Sequence, residues 1–312
     1  MRSMWILLRL IVGAAALAGC AAPAPDAAVV RVADRVYVLR GAGGEASANN
    51  LARTGHAAFV VGERGVAVIE TGVSYLHGEA IIAAVARITE RPIVLAIVTH
   101  PVQEYLFGAA AFQARGIPVL MHRRAAALMA TRCEICLRNL TRLLGDEAMA
   151  GTRVPVPDRL IDGGVELTDI GRPLHIFAAD HASAPGALAV FDAASGTLIA
   201  GDLAFVGRVP DLRDADVGGW LTLLSKLRAT ECRYLIPGRG RFGRCADIDA
   251  FARYLRALDA RVATALAQGV SLSELDAVVG LPAFAHWEQY RELHAANARR
   301  LYLRRERELF GN

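Results

Sequence analysis

Four short apolar runs in this chain each stop on a cluster of small or polar residues, and that recurrence constrains the fold more than any other feature. Residues 65–69 close on Glu70-Thr71-Gly72, residues 93–98 on Thr99-His100, residues 197–200 on Gly201-Asp202, and residues 234–236 on Pro237-Gly238-Arg239-Gly240. An apolar run of this length bounded by turn formers reads as a buried strand. Residues 30–39, 57–61, 174–178 and 187–191 read as further strands, while helical spacing occupies residues 79–89, 218–229, 247–268, 271–278 and 287–309. Strands alternating with helices make a layered α/β domain. Polar side chains just past strand C-termini are where such domains assemble a site.

The N-terminus stands apart from this pattern. Arg2 and Arg9 accompany an apolar run over residues 4–18, and Leu17-Ala18-Gly19-Cys20 closes it with small residues before a cysteine. Such a run is too short to span a bilayer stably and is set aside from fold reasoning. It resembles a bacterial lipoprotein signal. The resemblance implies that residues 1–19 are removed, that Cys20 is lipidated, and that residues 20–29 tether the mature chain to a membrane of the cell envelope, facing the periplasm.

Export changes how the other cysteines are read, because an oxidising compartment maintains disulfides. Cys133, Cys136, Cys232 and Cys245 allow three pairings, and the sequence leaves the choice open. The Cys133-Glu-Ile-Cys136 motif falls in a helical stretch and lacks the second cysteine pair of a zinc ribbon. Net charge is only +4, with a single lysine, Lys226, among 35 basic residues. So small an excess, spread along the chain, does not argue for nucleic acid, since phosphate binding needs clustered cations, and no nucleic-acid partner is expected. The arginines between Arg299 and Arg307 read as a solvated helix face.

The segments VIETG, VTHPVQEYLFGAAAF, DHASAPGALAVFDAASGTLIAGDLAF and LIPGRG, in that order, resemble the metallo-β-lactamase-fold hydrolases over nearly the whole mature chain. The Gly-Asp-Leu-Ala-Phe stretch, the Gly219-Trp220-Leu221 helix start and the helical C-terminus are most similar to the periplasmic metallohydrolases associated with quinoprotein oxidation. The resemblance implies a four-layer αββα sandwich over residues 30–245 with a helical extension over residues 246–312. It also implies a site along one edge of the two sheets, and a periplasmic oxidation-system protein or a small molecule as partner.

That family holds one or two zinc ions through His-x-His-x-Asp-His, a later His, a bridging Asp and a final His. Carried onto this chain, the motif keeps His100, replaces the second His with Val102 and the Asp with Glu104, and ends on Tyr105. His181 matches the later His and Asp202 the bridging carboxylate, whereas Arg239 stands where the final His is expected. Valine has no lone pair, and arginine is always protonated and cannot coordinate a cation. The resemblance therefore leaves two readings. In one, His100, His181 and Asp202, with Glu104 nearby, hold a single zinc that activates water for hydrolysis of an ester, thioester or amide. In the other no metal binds, and Arg239, with Tyr105 and Val102, fills an eroded site as the metal's charge substitute. The protein is then a non-catalytic or strongly altered relative.

Overall fold

The computed structural model describes residues 28–230 and 232–311. Cys20 and the signal-like segment lie outside the described residues. Among the described residues, twelve strands form two sheets. The first sheet runs in sequence order through β1 (Val29–Ala33), β2 (Val36–Leu39), β3 (Ala57–Val61), β4 (Val66–Ile69), β5 (Ile93–Ile97), β6 (Val119–His122) and β7 (Arg159–Ile161). The second holds β8 (Val165–Leu167), β9 (Leu174–Ala178), β10 (Leu188–Asp192), β11 (Thr197–Gly201) and β12 (Tyr234–Pro237), ordered β12-β11-β10-β9-β8. The helices are α1 (Tyr75–Ile88), α2 (Gln103–Leu106), α3 (Ala109–Gln113), α4 (Arg123–Leu144), α5 (Val217–Arg228), α6 (Asp247–Ala267), α7 (Leu275–Val278) and α8 (Tyr290–Phe310).

Strand alternation sorts the apolar residues into three layers of core. In β4, Ala67 and Ile69 face the second sheet, where Leu188, Val190, Ile199 and Ile236 meet them, while Val66 and Val68 face outward. A period of two makes this division automatic. The outward face is covered by α1 through Ile81 and Val85, and by α4 through Met129 and Leu140. The second sheet's outer face, with Ala189, Leu198 and Leu235, is covered by Trp220 of α5, Phe251 and Leu255 of α6, and Leu301 of α8. The result is an αββα sandwich. Residues beyond 245 share one core with those before it: the Phe251 ring lies 5.5 Å from Trp220 and 5.8 Å from Phe205.

Several local readings are corrected. Residues 30–39 form a hairpin rather than one strand, because the chain reverses at Asp34-Arg35 with Arg35 at φ 58°. Helix α7 is four residues long rather than starting at residue 271, since Ser271 folds its own N–H and hydroxyl onto Glu274. Helix α8 begins at Tyr290 because Gln289 takes a left-handed conformation. The three-residue strands β7 and β8 and the four-residue β6 are too short to carry a periodic signal.

Cys232 and Cys245 form a disulfide, and Cys133 and Cys136 are free thiols on α4. Among the described residues no helix is long and apolar enough to cross a membrane.

The parallel pairs decide where the site lies. β4 runs parallel to β5 and β11 parallel to β12, so the polar clusters after all four strands emerge together. The sheets are stitched there by Leu188 N–H donating to the Thr99 carbonyl at 3.1 Å. On the second sheet, Gly238 N–H donates to the Gly201 carbonyl at 2.7 Å, and His56 N–H donates to Gly238 at 2.7 Å.

Candidate functional site

At the joint edge of the sheets, a cavity of about 410 Å³ is lined by His100, Glu104, Ser183, Asp202 and Arg239, among others. Arg239 follows β12 and Asp202 follows β11, and their separation is 3.2 Å from Nη2 to Oδ2. The same Nη2 lies 3.5 Å from Glu104 Oε2. Tyr105 donates its hydroxyl to Asp202 Oδ1 at 2.5 Å, and Arg239 Nε reaches that hydroxyl at 3.4 Å. One cation therefore sits between two carboxylates and a phenol. Burial opposes the charge on Arg239, but Glu104 and Asp202 outweigh it and hold the guanidinium above the ordinary arginine range. Burial, reinforced by the Asp202 charge, pushes the Tyr105 phenol well up, so it remains a donor. Val102 caps the short helix α2 without a side-chain hydrogen bond and packs on the core.

His100 is engaged at both ring nitrogens. Its Nδ1 meets Thr99 Oγ1 at 2.6 Å, and its Nε2 meets Ser183 Oγ at 2.8 Å. Thr99 in turn donates its hydroxyl to Glu70 Oε1, and its N–H to Glu70 Oε2 at 3.3 Å. Burial lowers the His100 pKa to about 4, so the ring is neutral. Glu70, wholly enclosed, is pushed well above the carboxylate range by the same cause. Gly201 is required for this arrangement: at φ 50°, a Cβ there would stand 2.3 Å from Thr99 Oγ1 and 3.0 Å from His100 Nδ1.

His181 is not brought into this group. Its exposed ring contacts the Asp214 carbonyl at 2.6 Å through Nε2. A tight turn, with Ala182 N–H donating to the Ala184 carbonyl at 3.2 Å, places Ser183 opposite His100 instead. Thus the structure gathers His100, Glu104, Tyr105, Asp202 and Arg239, and leaves His181 aside. Among the described residues no three His, Cys, Asp or Glu side chains are grouped so as to hold a metal ion. The donor chemistry does not fit zinc as arranged. Asp202 is committed to Tyr105 and Arg239, His100 Nε2 to Ser183, and Arg239 brings a fixed positive charge to where a cation would bind.

Sequence reasoning missed Ser183, Thr99, Glu70 and His56. Thr99 and Glu70 lie inside the strand-end clusters, but position there assigned them no role. Ser183 lies two residues after His181 in the same loop, and nothing local tells which of the two faces inward. His56 links the loops, accepting from Gly41 N–H at Nδ1 over 2.8 Å while Nε2 meets the Gly240 carbonyl at 2.8 Å. Its exact bonding pattern carries no sequence signature.

Known proteins with this architecture are numerous. The metallo-beta-lactamase from Pontibacter korlensis superposes with a TM-score of 0.59 at 18% identity, covering 73% of this chain and 98% of that one. The stereoselective inverting sec-alkylsulfatase Pisa1 from Pseudomonas sp. gives a TM-score of 0.69 at 16% identity, covering 89% of this chain and 50% of the sulfatase. The chain thus spans about half the length of that enzyme. A metallo-beta-lactamase from Erythrobacter litoralis gives a TM-score of 0.58 at 16% identity, over 74% of this chain and 97% of the other. At such identities the likeness is one of fold. No curated protein matches this chain. Residues 51–239 match the metallo-beta-lactamase superfamily, and the chain belongs to it.

Proposed function

We propose that this chain is a metal-independent relative of the hydrolases of its superfamily, held at the bacterial cell envelope by a lipid on Cys20 and facing the periplasm. The observation that carries the reading is the position of Arg239, whose Nη2 lies 3.2 Å from Asp202 and 3.5 Å from Glu104. A fixed guanidinium supplies the charge that a second metal would otherwise bring, and with Tyr105 it engages Asp202 while pairing with Glu104. The zinc site is eroded, and the cavity it once served remains as a pocket for a small polar molecule. The Cys232–Cys245 disulfide accords with an oxidising compartment. Association with a periplasmic oxidation system rests on the sequence resemblance alone.

Metal analysis of the purified full chain after mild dialysis, followed by zinc titration, tests the reading. Less than about a tenth of an equivalent of bound metal, and no tight zinc uptake, is expected. One tightly held equivalent would overturn it in favour of a mononuclear zinc hydrolase built on His100, Asp202 and a repositioned His181.

A further inference from the structure

We propose that Ser183 and His100 form a nucleophile and general-base pair that cleaves a small carboxylic ester or thioester without metal. This inference rests on the metal-independent reading above. Four hydrogen bonds carry it, and they run in one consistent direction. With the proton of His100 on Nδ1, that N–H donates to Thr99 Oγ1 across 2.6 Å, and the Thr99 hydroxyl donates onward to Glu70 Oε1. Thr99 N–H anchors the other Glu70 oxygen at 3.3 Å. Nε2 is then the acceptor, and Ser183 Oγ, 2.8 Å away, is the donor facing it. A hydroxyl, an imidazole and an orienting group hydrogen-bonded in series are the parts of a serine nucleophile, recognised by geometry rather than by chain order.

Both residues are buried, Ser183 at 8% and His100 at 1% exposure, yet they border the cavity. Ser183 and His100 share the cavity wall with Arg239, its fixed cation. In the first step Ser183 Oγ bonds to the acyl carbon while its proton passes to His100 Nε2. The tetrahedral adduct collapses, the bond to the alcohol or thiol breaks, and the leaving group takes that proton. Water then gives a proton to Nε2 and attacks the acyl carbon. The Ser183 ester bond breaks, the proton returns to Oγ, and a carboxylic acid departs. Ser183 and His100 touch the reacting atoms, whereas Thr99 is a positioning residue acting through the imidazole.

A fluorophosphonate probe applied to the purified full chain in excess chelator tests this directly. Its phosphorus bonds to the nucleophilic oxygen, fluoride leaves, and the proton is lost to solvent through His100. Mapping of the adduct by peptide mass spectrometry is expected to place it on Ser183. Ser183→Ala should abolish labelling with the far-ultraviolet circular dichroism unchanged, and His100→Gln should slow it at least about 100-fold. Thr99→Val should slow it at least about tenfold, with Thr99→Ser restoring the rate. A folded, metal-free chain that is unlabelled, or labelled at another residue, overturns the nucleophile assignment and leaves the metal-independent reading standing. A chain that carries one equivalent of zinc and labels only when zinc is present overturns that reading itself.

Discussion

The guanidinium of Arg239 and the carboxylate of Asp202 lie 3.2 Å apart at the ends of two adjacent parallel strands, where neither is more than about a fifth exposed. Because Glu104 and Tyr105 converge on the same pair, removing the cation leaves two carboxylates close together with little water to solvate them. Arg239→Ala is expected to destabilise the chain by about 2 to 4 kcal/mol, a little below the range for a wholly buried pair. Urea denaturation at neutral pH measures this. A loss smaller than about 0.5 kcal/mol would mean that the carboxylates do not depend on the guanidinium.

Gly201 offers a second test of the site's construction. Its backbone is left-handed, and a methyl group there meets Thr99 Oγ1 at 2.3 Å. Gly201→Ala combines that collision with an unfavourable φ, for a cost of about 2 kcal/mol or more. The Thr99 to His100 contact should be displaced with it. A variant as stable as the parent would show that the strand end can shift to accept a side chain.

Stability is expected to fall on mild acidification. Burial lowers the His77 pKa to about 3, from 6.5 in the free side chain, and its Nδ1 accepts from Val73 N–H at 3.2 Å. Between those values the unfolded chain binds a proton that the folded chain does not, so stability rises with pH. The destabilisation is absent above about pH 7 and grows as pH falls from 6.5 towards 3, at about 1.4 kcal/mol per pH unit for this group. His77→Gln should flatten the slope of unfolding free energy between pH 6.5 and 5. An unchanged slope would place the acid sensitivity in other groups.

The cysteines should behave as two distinct pairs. The Cys232–Cys245 bridge joins residues separated by 13 positions, and replacing both cysteines with serine should cost about 3 kcal/mol. Burial, together with the neighbouring Cys136, pushes the Cys133 thiol up to about 12. At pH 7.5 Cys133 should therefore resist iodoacetamide in the folded chain and react once the chain is unfolded in denaturant. Rapid alkylation of Cys133 in the native state, read by peptide mass, would contradict its burial in the α4 core.

The sequence by itself determined the layering, because burial patterns of period 2 and 3.6 are properties of short segments. Apolar runs at residues 65–69, 93–98, 197–200 and 234–236, with their polar or glycine stops, were enough to place Glu70, His100, Asp202 and Arg239 at strand ends. Only the tertiary structure decided which neighbours those residues meet. Whether His181 or Ser183 faces His100 depends on the Asp214 carbonyl, more than thirty residues away, and on Asp216 N–H holding the Ala182 carbonyl at 2.8 Å. The pairing of Cys232 with Cys245 likewise depends on the β12 start and the α6 start being brought together by Leu235 and Gly243, which exchange hydrogen bonds at 2.9 Å. A side chain's direction in a loop is set by partners distant in sequence, and no local periodicity encodes them.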